Sequence, residues 1–331
     1  MTKMPPGMSW KIALHIAKNR AMGRDKFPFV LMLEPLHLCN FHCTGCGRIR
    51  EYEETIREKM TVEECLDAVA EVDTPVVSIC GGEPLIYPGI ERLVAELQAQ
   101  GRYIYLCTNA WIAKQKLPLF KPDRHLIFNI HLDGLKDTHD AIVERPGSFE
   151  TAIEALKLLK EKGFYVCCNT TIYKQTKPQE VVELFRYVQS LGIDGILISP
   201  AYTYRMIDQE FFMKREEIIQ RFSELAPQLK GMKLWNTSVY MKYLTGAYDL
   251  DCTPWGNPTR NPRGWRGPCY QISDRHYSTF KEMMESTNWD KYVKRQDDRC
   301  ASCMTHCGYE PTSALKASGS LRGAIDTLRG W

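Results

Sequence analysis

Three cysteines stand at C-x3-C-x2-C spacing in the stretch Leu38-Cys39-Asn40-Phe41-His42-Cys43-Thr44-Gly45-Cys46-Gly47. Three thiolates on one short loop can hold three irons of a [4Fe–4S] cluster, leaving the fourth iron without a protein ligand. An open iron lets a cluster bind and reduce a small molecule rather than only pass electrons. A zinc site is the rival reading, but zinc sites usually close with four ligands. The loop offers only His42 as a fourth, and on so tight a loop His42 is expected to point elsewhere. The plainest reading is a set of buried free cysteines. The Gly after the third cysteine and the aromatic between the first and second weigh against it.

A second group of thiols lies near the other end. Cys269 and the C-x2-C-x3-C run Cys300, Cys303, Cys307 can supply four thiolates. They suit a second [4Fe–4S] cluster, a zinc site with His306 as a substitute, or plain packing in a core. Cys252 is a spare fifth thiol. The chain carries thirteen cysteines in 331 residues. Met1 to Gly7 runs into charged residues, so no secretory signal is expected. Clustered cysteines in an odd number then read as reduced thiols and metal ligands, not a disulfide framework. A cytoplasmic location follows.

These groups need a scaffold. A content of 44% apolar and 25% charged residues suits a globular protein. A net charge of +3 is too small to argue for nucleic acid. No apolar run approaches the roughly 20 residues of a membrane span. Extended apolar runs recur at Phe29–Leu33, Val76–Cys80, Tyr103–Thr108, Leu126–Leu132, Tyr165–Ile172 and Gly195–Ser199. Helical patterns separate them. Thr61 and Glu64 form a capping box for residues 62–71, and residues 90–100, 149–162 and 178–191 each end at a glycine. Six β/α units argue for a parallel sheet with crossover helices. Residues 8–22 form a further helix with Trp10, Ala13, Leu14 and Ala17 on one face. That basic, Trp-bearing segment can pack on the domain or lie at a membrane surface.

In α/β barrels the site lies at the carboxyl ends of strands, and the chemically suggestive residues fall there. The three-cysteine loop follows the first strand and Gly81-Gly82-Glu83-Pro84 the second. Cys107-Thr108-Asn109, His131-Leu132-Asp133-Gly134, Asn169-Thr170-Thr171 and Ser199-Pro200-Ala201-Tyr202 close the other four. Beyond residue 202 the chain is rich in aromatics: Tyr202, Tyr204, Phe211, Phe212, Trp235, Tyr240, Tyr243, Tyr248, Trp255 and Trp265. They form a core, or the walls of a dry cavity for a large apolar substrate. Cys252-Thr253-Pro254-Trp255-Gly256-Asn257-Pro258-Thr259-Arg260-Asn261 is a loop by composition.

The cysteine loop with Phe41 in its first gap, followed by Gly81-Gly82-Glu83-Pro84, resembles the radical S-adenosylmethionine (SAM) superfamily. The resemblance implies a partial (βα)6 barrel at residues 28–202, after an N-terminal helix and linker at 1–27. A cysteine- and aromatic-rich C-terminal extension follows at 203–331. It implies that Cys39, Cys43 and Cys46 hold a [4Fe–4S] cluster whose open iron chelates SAM. One electron then cleaves SAM to methionine and a 5′-deoxyadenosyl radical. Gly81, Gly82, Glu83 and Pro84 would meet the SAM ammonium. Asn109, Asp133 and Thr170 would reach its ribose or carboxylate, or else serve as strand-end caps.

Leu31 to Leu36, Tyr105 to Ala110, His131 to Leu135, Cys252 to Asn261 and Cys303 to Glu310 resemble one subfamily, the adenosylhopane synthases of hopanoid biosynthesis. Cys80 departs from the proline expected before the glycine pair. This resemblance implies addition of the adenosyl radical to the terminal alkene of hopene (diploptene). The expected partners are a hydrophobic triterpene, SAM, a flavodoxin- or ferredoxin-type reductant and a peripheral contact with the inner face of a membrane. The adduct radical needs a hydrogen donor, and the resemblance favours Cys107, with Cys80, Cys167 and Cys168 as rivals. Two other functions compete. One is hydrogen abstraction from a peptide or sugar with help from an auxiliary cluster. The other is a cluster scaffold for electron transfer with no chemistry of its own.

Overall fold

The computed structural model describes residues 4–319. The outer parts of the expected first and last segments, residues 1–3 and 320–331, lie outside that range. Six parallel strands form the frame: β1 (Val30–Leu33), β2 (Val76–Ile79), β3 (Tyr103–Thr108), β4 (Leu126–His131), β5 (Tyr165–Ile172) and β6 (Gly195–Pro200). They follow one another in spatial order from β6 to β1. Each is a short run rich in branched apolar residues, as a strand covered on both faces requires. The crossover helices include Val62–Val72, Ile90–Ala99, Ser148–Glu161 and Pro178–Ser190. Thr61 and Glu64 do form the capping box.

Strand alternation gives the sheet two faces. Leu31, Leu33, Val77, Ile79, Ile104, Leu106, Phe128, Ile130, Val166 and Cys168 pack outward against the helices. Val76, Tyr103, Ile127 and Cys167, with Tyr105, Tyr165 and Leu197 beside them, fill the inside. Trp235 packs into this inner cluster.

The C-terminal part joins the same sheet. Strand β7 (Thr259–Asn261) lies parallel to β1, and β8 (Gly264–Pro268) and β9 (Ser273–Tyr277) follow as antiparallel neighbours. The result is one nine-stranded sheet with β6 and β9 at its edges. This corrects the expectation that residues 252–261 form only a loop. A turn at Pro254–Gly256 leads straight into β7, whose three polar residues show no alternation.

Helix α1 (Met8–Ala21) closes the amino-terminal end of the barrel. Met8 and Ile12 pack on the inner cluster, Lys11 reaches the Gly101 carbonyl, and the Tyr103 hydroxyl donates to the Pro6 carbonyl at 2.6 Å. The face that packs is Met8, Ile12 and Ile16, not the expected Trp10, Ala13, Leu14 and Ala17. Trp10 is 68% exposed and Leu14 50%. This outward face lies at the end of the barrel opposite the strand carboxyl ends. Among the described residues no helix is long and apolar enough to cross a membrane.

Candidate active site

A cavity of about 300 Å³ opens at the carboxyl ends of the strands. Its walls bring together most of the residues singled out in the sequence: Cys39, Cys43, Cys46, Gly81, Gly82, Glu83, Cys107 and Asn109. His42 does not line it and is exposed, as the tightness of the loop required.

The cysteine loop is anchored on its neighbours. Gly82 N donates to the Leu36 carbonyl at 3.1 Å and Glu83 N to the Leu38 carbonyl at 3.0 Å. A Cβ on Gly82 would collide with the Leu38 carbonyl, and Gly81 has φ of +101°, where a side chain is strained. The glycine pair is therefore required for backbone-to-backbone contact with the cysteine loop. Phe41 is buried against the Trp111 ring at 5.8 Å. Arg145 covers both rings and donates to the Asn40 carbonyl at 2.9 Å.

Burial pushes the Cys39 thiol up to about 12 and the Cys43 thiol well above its ordinary value, and the neighbouring thiols add to both shifts. Ionising Cys39 and Cys43 beside each other and beside Cys46 calls for a cation among them. No three His, Cys, Asp or Glu side chains among the described residues gather to hold a single metal ion. The three thiols instead stand along the wall of a volume. That donor set fits a [4Fe–4S] cluster held at three corners.

The Glu83 carboxyl is buried. Oε1 accepts from Leu85 N at 2.9 Å and Thr108 Oγ1 at 2.7 Å, and Oε2 accepts from Asn109 N at 2.9 Å. Burial raises its pKa to about 7 against these donors. Asn109 Nδ2 in turn donates to Asn40 Oδ1 at 2.7 Å. Glu83 and Asn109 thus tie the second and third strand ends to the cysteine loop.

Three of the residues expected to contact SAM do not line the cavity. Thr170 is fully buried, does not line the cavity, and donates to the Leu132 carbonyl at 2.7 Å. Its neighbours Asn169 and Thr171 face inward instead, because alternation puts i−1 and i+1 on the other face. Asp133 is fully buried behind the wall, where it accepts from Thr171 N at 2.7 Å and pairs with His131 Nε2 at 2.8 Å. His131 lines the cavity in its place. Burial opposes charge on His131, but the Asp133 carboxylate outweighs it and raises the pKa. Pro84 is buried as the first residue of the turn Pro84–Ile86 and does not line the cavity. Asn129 is not singled out in the sequence, and His131, named there at its strand end, carries no assigned role. The clue was register: Asn129 pairs with Cys107, and His131 follows it on the same face.

Cys107 faces inward on β3 and lines the cavity. Its Sγ lies 3.3 Å from Ser78 Oγ and accepts from Asn129 Nδ2 at 3.4 Å. Burial raises its pKa, with both hydrogen bonds in opposition, so the group is a thiol. Of the rivals, Cys80 lines the cavity, while Cys167 and Cys168 are fully buried elsewhere.

Of the expected aromatic wall, only Tyr202 and Tyr204 line the cavity, joined by Tyr173 and Tyr270. Trp265, Tyr240 and Tyr243 are fully buried core. Much of the remaining wall is polar: Asn129, His131, Asn169, Ser199, Gln271 and His306.

A buried charged belt joins the cysteine loop to the C-terminal part. Arg48 pairs with Glu34 at 2.8 Å, donates to the Tyr270 carbonyl at 2.6 Å and stacks 4.2 Å from the Tyr270 ring. Arg266, fully buried, bonds Glu51 and the Tyr52 hydroxyl, each at 2.8 Å. Behind this belt Cys252, Cys269, Cys300, Cys303 and Cys307 stand close to one another. Burial first, then the neighbouring thiols, raises the pKa of Cys252, Cys269, Cys300 and Cys307. Gln271 Nε2 donates to Cys307 Sγ at 3.7 Å. None of these five lines the cavity.

A sequence model of the radical SAM superfamily matches residues 33–188, and one of a domain of unknown function (DUF3463) matches residues 196–327. The chain is 25% identical over 212 residues to an AdoMet-dependent heme synthase of Methanosarcina barkeri, covering 57% of this chain and 59% of that one. It is 26% identical over 345 residues to the Fe-coproporphyrin III synthase of the same organism, covering 89% and 84%. The crystal structure of Streptococcus suis SuiB bound to precursor peptide SuiA superposes with a TM-score of 0.61 at 15% identity, over 76% of this chain and 61% of that one.

Proposed function

We propose a function on the premise that residues 33–188 are a radical SAM domain and that the protein is a radical SAM enzyme using a [4Fe–4S] cluster and SAM. The enzyme adds the 5′-deoxyadenosyl group to an alkene and quenches the adduct with Cys107. The resemblance of Cys252 to Asn261 and of the strand ends to the adenosylhopane synthases makes the terminal alkene of hopene the substrate. The single observation carrying the reading is the protonated Cys107 thiol, set between Ser78 and Asn129 on the cavity wall that faces the three-cysteine loop.

When bound, the cluster supplies the electron that cleaves SAM and so the adenosyl radical. Cys39, Cys43 and Cys46 would hold it, Glu83 would meet the SAM ammonium, and Asn109 would reach the ribose or carboxylate. The adenosyl C5′ bonds to the terminal alkene carbon, leaving a tertiary carbon radical. Cys107 gives that carbon its hydrogen atom and becomes a thiyl radical. An electron from a flavodoxin- or ferredoxin-type reductant and a proton from solvent restore the thiol. SAM is consumed as a substrate. Cys269, Cys300, Cys303 and Cys307, with Cys252 beside them, would hold a second cluster.

The polar wall favours a second reading: hydrogen abstraction from a peptide or another polar substrate. Mass spectrometry of the anaerobic products with SAM, dithionite and diploptene separates the two. Adenosylated triterpene is expected. Unchanged diploptene with stoichiometric 5′-deoxyadenosine would overturn the addition. Cys107→Ala should still join carbon to carbon but yield less saturated product or mixed epimers. An unchanged single epimer at an unchanged rate would assign the hydrogen to another donor, with Cys80 the next to test.

A further inference from the structure

Cys107 tops a column of oxidisable side chains. Alternation on β3 puts Tyr103, Tyr105 and Cys107 on the inner face, one above another at about 7 Å per step. Tyr105 is half-buried directly below the thiol. Its cross-strand neighbour on β2 is Ser78, the hydroxyl that stands 3.3 Å from Cys107 Sγ. The Trp235 ring meets the Tyr105 ring edge-on at 6.2 Å, and its Nε1 is buried with no hydrogen-bond partner. Tyr103 continues the column to the far end of the barrel, where its ring lies 4.8 Å from His125. Val76, Ile127 and Leu197 on the inner face are aliphatic and inert to oxidation, and the other oxidisable side chains there, Tyr165 and Cys167, lie on β5 rather than on the strand that carries Cys107.

A thiyl radical at Cys107 forms on the wall of a cavity that the product then occupies, so product stands between it and reductant in solution. The phenol below it on the same strand, close enough for the Cys107 thiol to help raise its pKa, offers a hydrogen atom of similar bond strength. We propose that Tyr105 restores Cys107 after each turnover, acting as the first station of a radical path that leads away from the cavity. The inference rests on Cys107 being the hydrogen donor.

The step balances. The Tyr105 O–H bond breaks and the Cys107 S–H bond forms, so the thiyl is reduced and the tyrosine oxidised to a phenoxyl radical. One electron from a flavodoxin- or ferredoxin-type reductant, with one proton from solvent, returns the phenoxyl to tyrosine. Trp235 and Tyr103 lie on the two routes by which that electron arrives. Burial first, then the Cys167 and Cys107 thiols and the Glu310 carboxyl, raises the Tyr105 phenol's pKa, so the ring keeps the hydrogen atom it can give up.

The test uses the full chain with its cluster, reduced beforehand and freed of excess reductant, then mixed with SAM and the alkene. Freeze-quenched samples are read by EPR and product is counted per chain. The wild type is expected to show a tyrosyl radical that changes shape when the protein carries ring-deuterated tyrosine. Tyr105→Phe, which removes only a hydroxyl, should lose that signal. It should still make about one saturated product per chain and then stall, while the wild type cycles when reductant is restored. Trp235→Phe should slow recovery without touching the first turnover. If Tyr105→Phe cycles like the wild type and no tyrosyl signal appears, the relay is wrong. Cys107→Ala then decides the donor by itself: altered product keeps the donor role, and unaltered product removes both the donor and the relay.

Discussion

The molecule holds two groups of cysteines, and they differ in number and in what they face. Cys39, Cys43 and Cys46 come from one loop and line a cavity that also reaches Cys107, Glu83 and Asn109. Cys252, Cys269, Cys300, Cys303 and Cys307 come from three separate segments, and none lines the cavity. Three thiols facing open space leave an iron free for a ligand, whereas five thiols behind a wall can complete every corner of a cluster. The first group suits a cluster with an open iron, and the second a cluster with none. Arg48 stands between them, two residues after Cys46 and stacked on the ring that follows Cys269.

The sharpest way to break that contrast is to remove one ligand from each group. Cys43→Ala should abolish SAM cleavage altogether, because an incompletely held cluster does not present its open iron. Measured 5′-deoxyadenosine or adenosylated product at wild-type levels would dismiss the loop as the catalytic centre. Cys303→Ala should act differently. Iron and sulfide counts on reconstituted protein should fall from about eight irons per chain to about four, with residual SAM cleavage. About four irons in the wild type would make the second group structural thiols, and the contrast would become one between a cofactor loop and a core.

Between these groups lies a smaller, purely steric test. Gly82→Ala puts a methyl group into the Leu38 carbonyl, which is backbone and cannot swing aside. The cysteine loop must shift, at a cost of about 1–3 kcal/mol by the usual scale of overpacking. Thermal unfolding should show that loss, with reduced iron content at the catalytic loop. Gly163→Ala is the control, since nothing stands within 4 Å of an added Cβ there and only its φ of +83° opposes it. Gly82 itself is not left-handed, so an unchanged melting temperature and iron content in Gly82→Ala would mean that the loop gives way freely and the close approach is not required.

Much of this was legible beforehand where one physical rule dominates. The strands from Tyr103 and Tyr165 run over the expected residues, ending at Thr108 and Ile172, because burial on both faces leaves only apolar runs. The cysteine loop and the glycine pair were legible because their spacing has few other uses. Residues outside such rules were misread. Thr259 to Asn261 pair with β1 through backbone alone, so their side chains carry no strand signal. In α1 helical spacing makes the Trp10 stripe the apolar face, for packing on the domain or for a membrane surface. The barrel's open end accepts the slimmer Met8, Ile12 and Ile16 stripe instead. Asp133 and Thr170 were chosen by residue type, and the inward face belonged to His131, Asn169 and Thr171.

The smallest expected effect lies in the pH dependence of SAM binding, and it tests whether the catalytic loop's neighbours also touch the ligand. Glu83 has its pKa raised from 4.5 to about 7, first by burial. Before SAM binds, the fold therefore favours the acid form. That contribution to stability is complete below pH 4.5 and is lost as pH rises through about 7. An ammonium group at the carboxyl reverses the preference, since it favours the ionised form. SAM should then bind more weakly as pH falls below about 7, by up to about tenfold per unit, and reach a plateau above it. Titration of reconstituted protein with its cluster oxidised, so that no cleavage occurs, gives Kd across this range. Glu83→Gln keeps the shape and the bond to Leu85 N but cannot ionise, so its Kd should be weaker at pH 8 and flat with pH. A flat profile in the wild type would confine Glu83 to tying Thr108 and Asn109 to the cysteine loop, and would move ammonium recognition to the carbonyls around Gly81.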